Sequence, residues 1–213
     1  QVGRSRIAIL ICAFNEEKTI KAIVNQAKKI GQVFLIDDGS TDKTSKYTKY
    51  MNINYFKNKK NIGYEKSLAR GFKIILSRNF DYLVTMDADG QHKFNSLKEI
   101  LLKIKRYDIV IGSRDKTNNF LEKILSFFSK KYLNLTDILC GLKAYRLNKY
   151  KNYKSSNPDI IGTNYLFYGI NNGVRISEIK IKCDDRQHGN SRYYANISNY
   201  IKILQLILKI IRK

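Results

Sequence analysis

The stretch from Asp81 to His92 reads Asp-Tyr-Leu-Val-Thr-Met-Asp-Ala-Asp-Gly-Gln-His, an apolar run that empties into two carboxylates, Asp87 and Asp89. Side chains in a strand alternate faces, so both acids can leave the strand end on the same side, with Gln91 next in the series. Hard oxygen ligands so spaced suit Mg or Mn, ions that keep waters and share their shell with substrate phosphates. Standing alone, Asp-Ala-Asp-Gly also reads as a polar turn. Two further segments repeat the design: Val33-Phe-Leu-Ile-Asp-Asp-Gly-Ser-Thr-Asp42, and Ile7-Ala-Ile-Leu-Ile-Cys-Ala-Phe-Asn-Glu16.

Acids at the ends of several apolar runs meet only if the runs lie side by side. Between them the sequence turns helical: Ile20, Ile23, Val24, Ala27 and Ile30 share a face after Asn15, a good N-cap, and Gly31 stops the run. Further helices are expected over Thr41–Tyr50, Tyr64–Arg78 and around Leu97–Ile104, with strands at Ile53–Phe56 and Asp108–Ile111. Strands alternating with helices imply a mostly parallel α/β sheet covered on both faces, whose carboxyl-end crevice is the usual ligand site. The second half predicts a strand at Leu142–Arg146, a helix from Asn157 to about Asn171 ended by Gly173, and a strand at Arg175–Lys182.

The 213 residues fit a single domain, with one proline (Pro158) and no linker or repeat. Cys12, Cys140 and Cys183 have neither CxxC spacing nor an even count, which excludes a zinc cluster and a disulfide framework and fits a reducing compartment. There is no signal peptide, and no run approaches the ~18 apolar residues that span a bilayer. Forty Lys plus Arg against 18 Asp plus Glu leave a net charge of +22. That charge admits a nucleic-acid partner, an anionic membrane surface, or lysines spread over solvated faces. A basic binding module without turnover accounts for the charge but not for the acids, and the chain lacks an aromatic RNA-binding signature.

Two segments are basic and amphipathic. Phe120–Leu133 gathers Leu121, Ile124, Leu125, Phe128 and Tyr132 beside Lys123, Lys130 and Lys131; Ile197–Lys213 gathers Ile197, Tyr200, Ile201, Leu204, Ile207, Leu208 and Ile211 beside Lys202, Lys209, Arg212 and Lys213. Such helices either lie in a membrane interface or pack on the core.

The segments Ala13-Phe-Asn-Glu-Glu17, Ile36-Asp-Asp-Gly-Ser-Thr-Asp-Lys-Thr44, Asn61-Ile-Gly63 with Gly71, and Met86-Asp-Ala-Asp-Gly-Gln-His92 stand in series. Asp108-Ile-Val-Ile-Gly-Ser-Arg114, Thr136-Asp137 with Gly141, and Arg186-Gln-His-Gly-Asn-Ser-Arg192 follow. In order and over nearly the whole chain they resemble the family 2 glycosyltransferases of GT-A fold, in the branch of dolichol-phosphate mannose synthases and polyprenyl-phosphate glycosyltransferases. The resemblance implies a Rossmann-like GT-A catalytic domain over residues 1–195, with 196–213 a C-terminal basic amphipathic helix. It implies an inverting transfer of a hexose from a UDP- or GDP-sugar to a polyprenyl or dolichyl phosphate on the cytoplasmic face of a membrane, the alternative acceptor being a saccharide hydroxyl in surface-glycan assembly.

Carried over residue by residue, the resemblance gives Asp87, Asp89 and Gln91 to the Mg or Mn ion, with Asp87 also at the donor and Asp89 essential to catalysis. It gives Phe14, Glu16 and Asp37 to the base and ribose of the nucleotide, and Asp38 either to the donor or, like Asp42, to the following turn. Arg114, Arg186, Ser191 and Arg192 match positions that handle phosphate. His92 and His188 are expected to shape their motifs rather than act as a base. The mannose synthases carry an acid where this chain has Asn164, which leaves Asp137 as the base if the acceptor is a hydroxyl. Cys12, Ile138 and Lys180 replace prolines, and Glu65 a small residue. The transmembrane hairpins of many relatives do not occur in this sequence, which implies a peripheral enzyme on an anionic membrane surface, a piece of a longer protein, or an enzyme dependent on a small membrane subunit.

Overall fold

The computed structural model describes residues 5–115, 120–151, 153, 161–183 and 197–211. Its elements run β1 (Ile7–Ala13), α1 (Ile20–Lys28), β2 (Gln32–Asp37), α2 (Thr44–Thr48), β3 (Asn54–Lys57), α3 (Tyr64–Leu76), β4 (Tyr82–Asp87), α4 (Phe94–Ile104), β5 (Ile109–Arg114), α5 (Phe120–Leu133), β6 (Lys143–Arg146), a 3-10 turn (Leu147–Tyr150), α6 (Ile161–Asn171), β7 (Ile176–Ile181) and α7 (Ile197–Ile211). The strands form one sheet in the order β3-β2-β1-β4-β6-β5-β7. All neighbours are parallel except β6, which runs antiparallel to both β4 and β5.

β1, β2 and β4 read as continuous apolar runs because both faces of a parallel sheet are covered, and Ile9, Leu10, Ile11, Leu35, Ile36, Leu83 and Val84 are fully buried. Each such Leu, Ile or Val contributes roughly 1.5–3 kcal/mol relative to exposure. The helices bury the predicted stripes: Ile20, Ile23, Val24 and Ala27 on α1, Leu97, Ile100 and Ile104 on α4. Chain order reverses beside β1, whose neighbours are β2 and β4, and such a switch point opens a crevice at the strands' carboxyl ends.

Several local expectations change. The first helix starts four residues later than Asn15 would place it, with Thr19 as N-cap; Asn15 itself has φ 55°. Its amide bridges the loops instead, Oδ1 accepting Thr41 N–H at 2.8 Å and Nδ2 donating to Thr41 Oγ1 at 3.2 Å. On α5 the buried positions are Glu122, Leu125 and Ser129, whereas Phe120 (75%) and Phe127 (63%) are exposed. α7 lies against α5 and α6, and its buried positions are Tyr200, Ile203 and Ile207, with Ile201 and Leu208 left exposed. Of the predicted stripes, Leu125 of α5 and Tyr200 and Ile207 of α7 are core, whereas Tyr132, Ile201 and Leu208 are exposed; Phe120 and Phe127 lie outside the predicted α5 stripe.

An aromatic cluster joins the two halves of the sheet. Phe72 of α3 meets Tyr145 edge-on at 5.7 Å and Tyr165 of α6 at 3.8 Å, and Tyr150 stacks on Tyr165 at 5.0 Å. The Tyr150 hydroxyl donates to Tyr165 O at 3.1 Å, so this buried phenol keeps a partner.

Candidate active site

The carboxyl ends of β1, β2 and β4 open into a cleft of about 530 Å³. Strand register brings the acids there: Cys12 pairs with Asp87, Ala13 with Asp37, and Asp38 N–H donates to Ala13 O at 2.8 Å. Phe14, Glu16, Asp38, Asp87, Asp89, Gln91 and Arg114 all line it.

Asp87 ends β4 with its carboxylate against the backbone of Gly141, where a Cβ would lie 2.2 Å from Oδ2. Only glycine leaves that space. Tyr64 Oη donates to Asp87 Oδ1 at 3.1 Å, and burial, then the Asp87 charge, pushes the Tyr64 phenol well above its ordinary value, so it remains a donor. His92, buried, has Nε2 3.8 Å from Asp87 Oδ2. The chain reverses after Asp89 through Gly90 at φ 83°, and Asp89 Oδ1 accepts Gln91 N–H at 3.1 Å. Asp89 thus closes a turn and also lines the cleft. Among the described residues no three His, Cys, Asp or Glu side chains form a closed metal cage. The donor set fits an ion held by the Asp87 and Asp89 carboxylates that draws its remaining ligands from a diphosphate and water.

The adjacent carboxylates Asp37 and Asp38 part company. Asp37 is fully buried and does not line the cleft. Its Oδ1 accepts Ser40 N–H at 2.8 Å, and its Oδ2 accepts Tyr55 Oη at 2.8 Å and the Ser45 hydroxyl. Burial alone would raise its pKa, but the bonds from Ser45, Ser40 and Tyr55 prevail and hold it below the usual carboxylate value. Asp37, expected at the nucleotide base, has both oxygens engaged by the loop. Asp38 faces the cleft, with Oδ1 accepting Asn58 Nδ2 at 2.8 Å and Ile62 N–H at 2.9 Å, and Oδ2 accepting Gly63 N–H at 2.9 Å. Asp42 caps its turn, accepting Thr44 N–H at 2.9 Å.

Asp137, the base expected for a hydroxyl acceptor, stands behind Arg114. Its Oδ2 accepts Arg114 N–H at 3.1 Å and Arg114 Nε at 2.7 Å, and its Oδ1 accepts Arg114 Nη2 at 3.0 Å. Burial works against the Arg114 charge, and Asp137 outweighs it, keeping the guanidinium protonated far above neutral pH. Asp137 does not itself line the cleft; its carboxylate holds the Arg114 guanidinium that does. Its loop is pinned by Glu178 of β7, which accepts Thr136 N–H at 2.8 Å and Asp137 N–H at 3.0 Å.

The chain matches the model of glycosyl transferase family 2 over residues 8–167. It belongs to that family. An uncharacterised protein of Methanocaldococcus jannaschii is 26% identical over 98% of this chain and 94% of its own length. The undecaprenyl-phosphate mannosyltransferase of Micrococcus luteus is 26% identical over 90% of this chain and 89% of its own. Among solved structures, glucosyl-3-phosphoglycerate synthase from Mycobacterium tuberculosis in complex with Mn2+, UDP and phosphoglyceric acid superposes with a TM-score of 0.76 at 14% identity, over 97% of this chain and 78% of that one. The architecture is the GT-A fold.

Within this family 2 glycosyltransferase the described residues bring together Phe14, Glu16, Asp38, Asp87, Asp89, Gln91 and Arg114. Arg186, Ser191 and Arg192 lie outside the described residues. Three further cleft residues carry no sequence signal of that role: Glu65, Glu122 and Lys143. Glu65 Oε2 accepts Gly162 N–H at 3.0 Å, tying the start of α3 to the start of α6. Lys143 is buried and donates to Cys140 O at 2.6 Å, and burial first of all lowers its pKa. Cys12 and Cys140 are buried, and burial before any charge pushes both thiols up, so neither is a thiolate nucleophile.

Proposed function

We propose that this glycosyltransferase moves a hexose, with inversion, from a UDP- or GDP-sugar to a polyprenyl or dolichyl phosphate at the cytoplasmic face of a membrane, using Mg or Mn. The observation that carries the donor half is the charge of the cleft. It gathers Glu16, Asp38, Glu65, Asp87, Asp89 and Glu122 against Lys66, Arg114, Lys143 and Lys202, in a chain whose net charge is +22. A nucleoside diphosphate entering past so many carboxylates calls for a divalent cation, and Asp87 and Asp89, with Gln91 beside them, are the residues that would hold it. When bound, the ion supplies a Lewis acid for the charge that grows on the leaving diphosphate.

The chain's own residues do the rest. Asp38 and the backbone it orders at Ile62 and Gly63 form the wall for the nucleoside, with Phe14 and Glu16 opposite on the β1 side. Arg114, fixed by Asp137, offers charged N–H groups to phosphate oxygens. Inversion follows from a single displacement, the acceptor oxygen attacking the anomeric carbon opposite the departing diphosphate. The lipid-phosphate acceptor is supported by the name of the Micrococcus luteus relative. A saccharide hydroxyl is the second reading, favoured by the open carboxylate oxygen of Glu122 described below.

Membrane contact rests on α5 and α7. Phe120, Lys123, Phe127 and Lys130 fall at helical spacing and are exposed, as are Ile201 and Leu208 of α7. Apolar groups flanked by cations suit an anionic headgroup layer. Among the described residues no helix is long and apolar enough to cross a membrane.

The decisive experiment incubates the enzyme with Mn and a panel of UDP- and GDP-hexoses, first by thermal shift and then with a short-chain polyprenyl phosphate. A stabilising donor and a glycosylated lipid phosphate are expected. Absence of transfer from every stabilising donor would reject the acceptor assignment.

A further inference from the structure

Glu122 stands in the first turn of α5 with its side chain 4% exposed, and it lines the catalytic cleft. Its Oε1 is 3.4 Å from Arg114 Nη2. Its Oε2 is buried and has no hydrogen-bond partner among the described residues. A buried carboxylate oxygen without a donor is costly, and folded proteins rarely retain one without use. Asp137 already takes the Arg114 Nε, one Nη2 bond and the backbone N–H, so Glu122 shares the guanidinium only through its longer Oε1 contact. Glu122 also stands in the first turn of α5, where the helix dipole favours a carboxylate.

The other cleft acids have other roles in this reading. Both oxygens of Asp38 accept N–H bonds and Glu65 Oε2 accepts Gly162 N–H, while Glu16 is assigned to the nucleoside wall and Asp87 and Asp89 to the cation. We propose that Glu122 is the proton acceptor of the transfer, its Oε2 receiving the O–H of the acceptor substrate. In that step the acceptor O–H bond breaks and its proton passes to Glu122. The acceptor oxygen forms the new bond to the anomeric carbon, and the bond from that carbon to the diphosphate breaks with its electron pair leaving on the nucleoside diphosphate. The O–H comes from a sugar hydroxyl or from the monoprotonated form of a phosphate monoester. This inference rests on the glycosyl-transfer reading and adds the class of nucleophile that the site accepts.

The test compares wild type with Glu122→Gln across pH 5 to 9, with a short-chain polyprenyl phosphate and with a simple glycoside as acceptors. With a hydroxyl acceptor, kcat of the variant should fall by ~10²–10⁴ at unchanged donor KM, and the acid limb of the wild-type profile should vanish. With a phosphate acceptor the variant should match wild type where the phosphate is a dianion. Below the second phosphate pKa of about 6 it should then lose roughly tenfold per pH unit relative to wild type. A variant that keeps the shape of the wild-type profile, whatever its absolute rate, overturns the assignment and leaves Glu122 as a prop for Arg114. Glu122→Asp, which keeps the carboxylate, should retain the acid limb and decides the matter if the Gln variant does not fold. Wild type turning over neither acceptor would reject the acceptor classes of the preceding section instead. Slow donor hydrolysis, with water as the O–H nucleophile, then carries the same comparison for Glu122.

Discussion

Asp137 receives the backbone N–H, Nε and Nη2 of Arg114, whereas Asp89 lines the cleft beside Asp87. The two carboxylates should therefore fail differently. Asp89→Ala removes a charged group at a strand end and opens no core cavity. Its activity should fall by at least about 10²-fold with an unchanged melting curve, and EDTA should inhibit wild type with Mn or Mg restoring it. Full activity in Asp89→Ala would end the metal reading. Asp137→Asn removes the carboxylate that takes the Nε, Nη2 and backbone N–H of Arg114 and leaves Glu122, at 3.4 Å, as the remaining counter-charge, so loss of thermal stability should accompany its loss of activity. If Asp137→Asn is catalytically dead yet as stable as wild type, Asp137 is acting on the substrate after all.

At the scale of elements, α5 divides its surface between core and outside. Leu125 and Ser129 are buried, while Phe120, Lys123, Phe127 and Lys130 face outward. The paired change Phe120→Ser with Phe127→Ser should lower binding to anionic liposomes and leave nucleotide binding and melting temperature near wild type, since the phenyl rings it removes are mostly exposed already. Liposome co-sedimentation beside nucleotide titration measures both. Retained liposome affinity would remove α5 from the membrane proposal. A truncation of α7 is the poorer probe, because Tyr200, Ile203 and Ile207 are packed and their loss would disturb the core.

For the whole molecule, acid stability is the informative axis. Asp37 has its pKa lowered in the fold. Its contribution is therefore complete above the unfolded carboxylate value of about 3.9 and is lost as pH falls through the lower folded value. Asp37→Asn should melt lower at neutral pH and lose this part of the acid sensitivity, so the gap between the two proteins narrows below about pH 4. Thermal melts across pH 2.5 to 7 check this, and a gap that widens in acid would show that Asp37 is not stabilised as an anion.

The sequence by itself determined the alternation of strands and helices, the family, and the acids at strand ends, because each is written in local periodicity or in a contiguous motif. Phe14, Glu16, Asp87 and Asp89 line the cleft for a reason legible there too: a strand that ends in a turn delivers its last side chains to the sheet's edge. Tertiary structure alone decided between Asp37 and Asp38, since adjacent strand-end residues point opposite ways and only the packed loop shows which is sealed behind Ser40, Ser45 and Tyr55. It alone decided that β6 runs antiparallel and that Asp137 is consumed by Arg114. Glu122 was invisible for a related reason. Periodicity places it beside the apolar stripe of α5, but only the assembled cleft reveals a carboxylate oxygen there that no donor among the described residues meets.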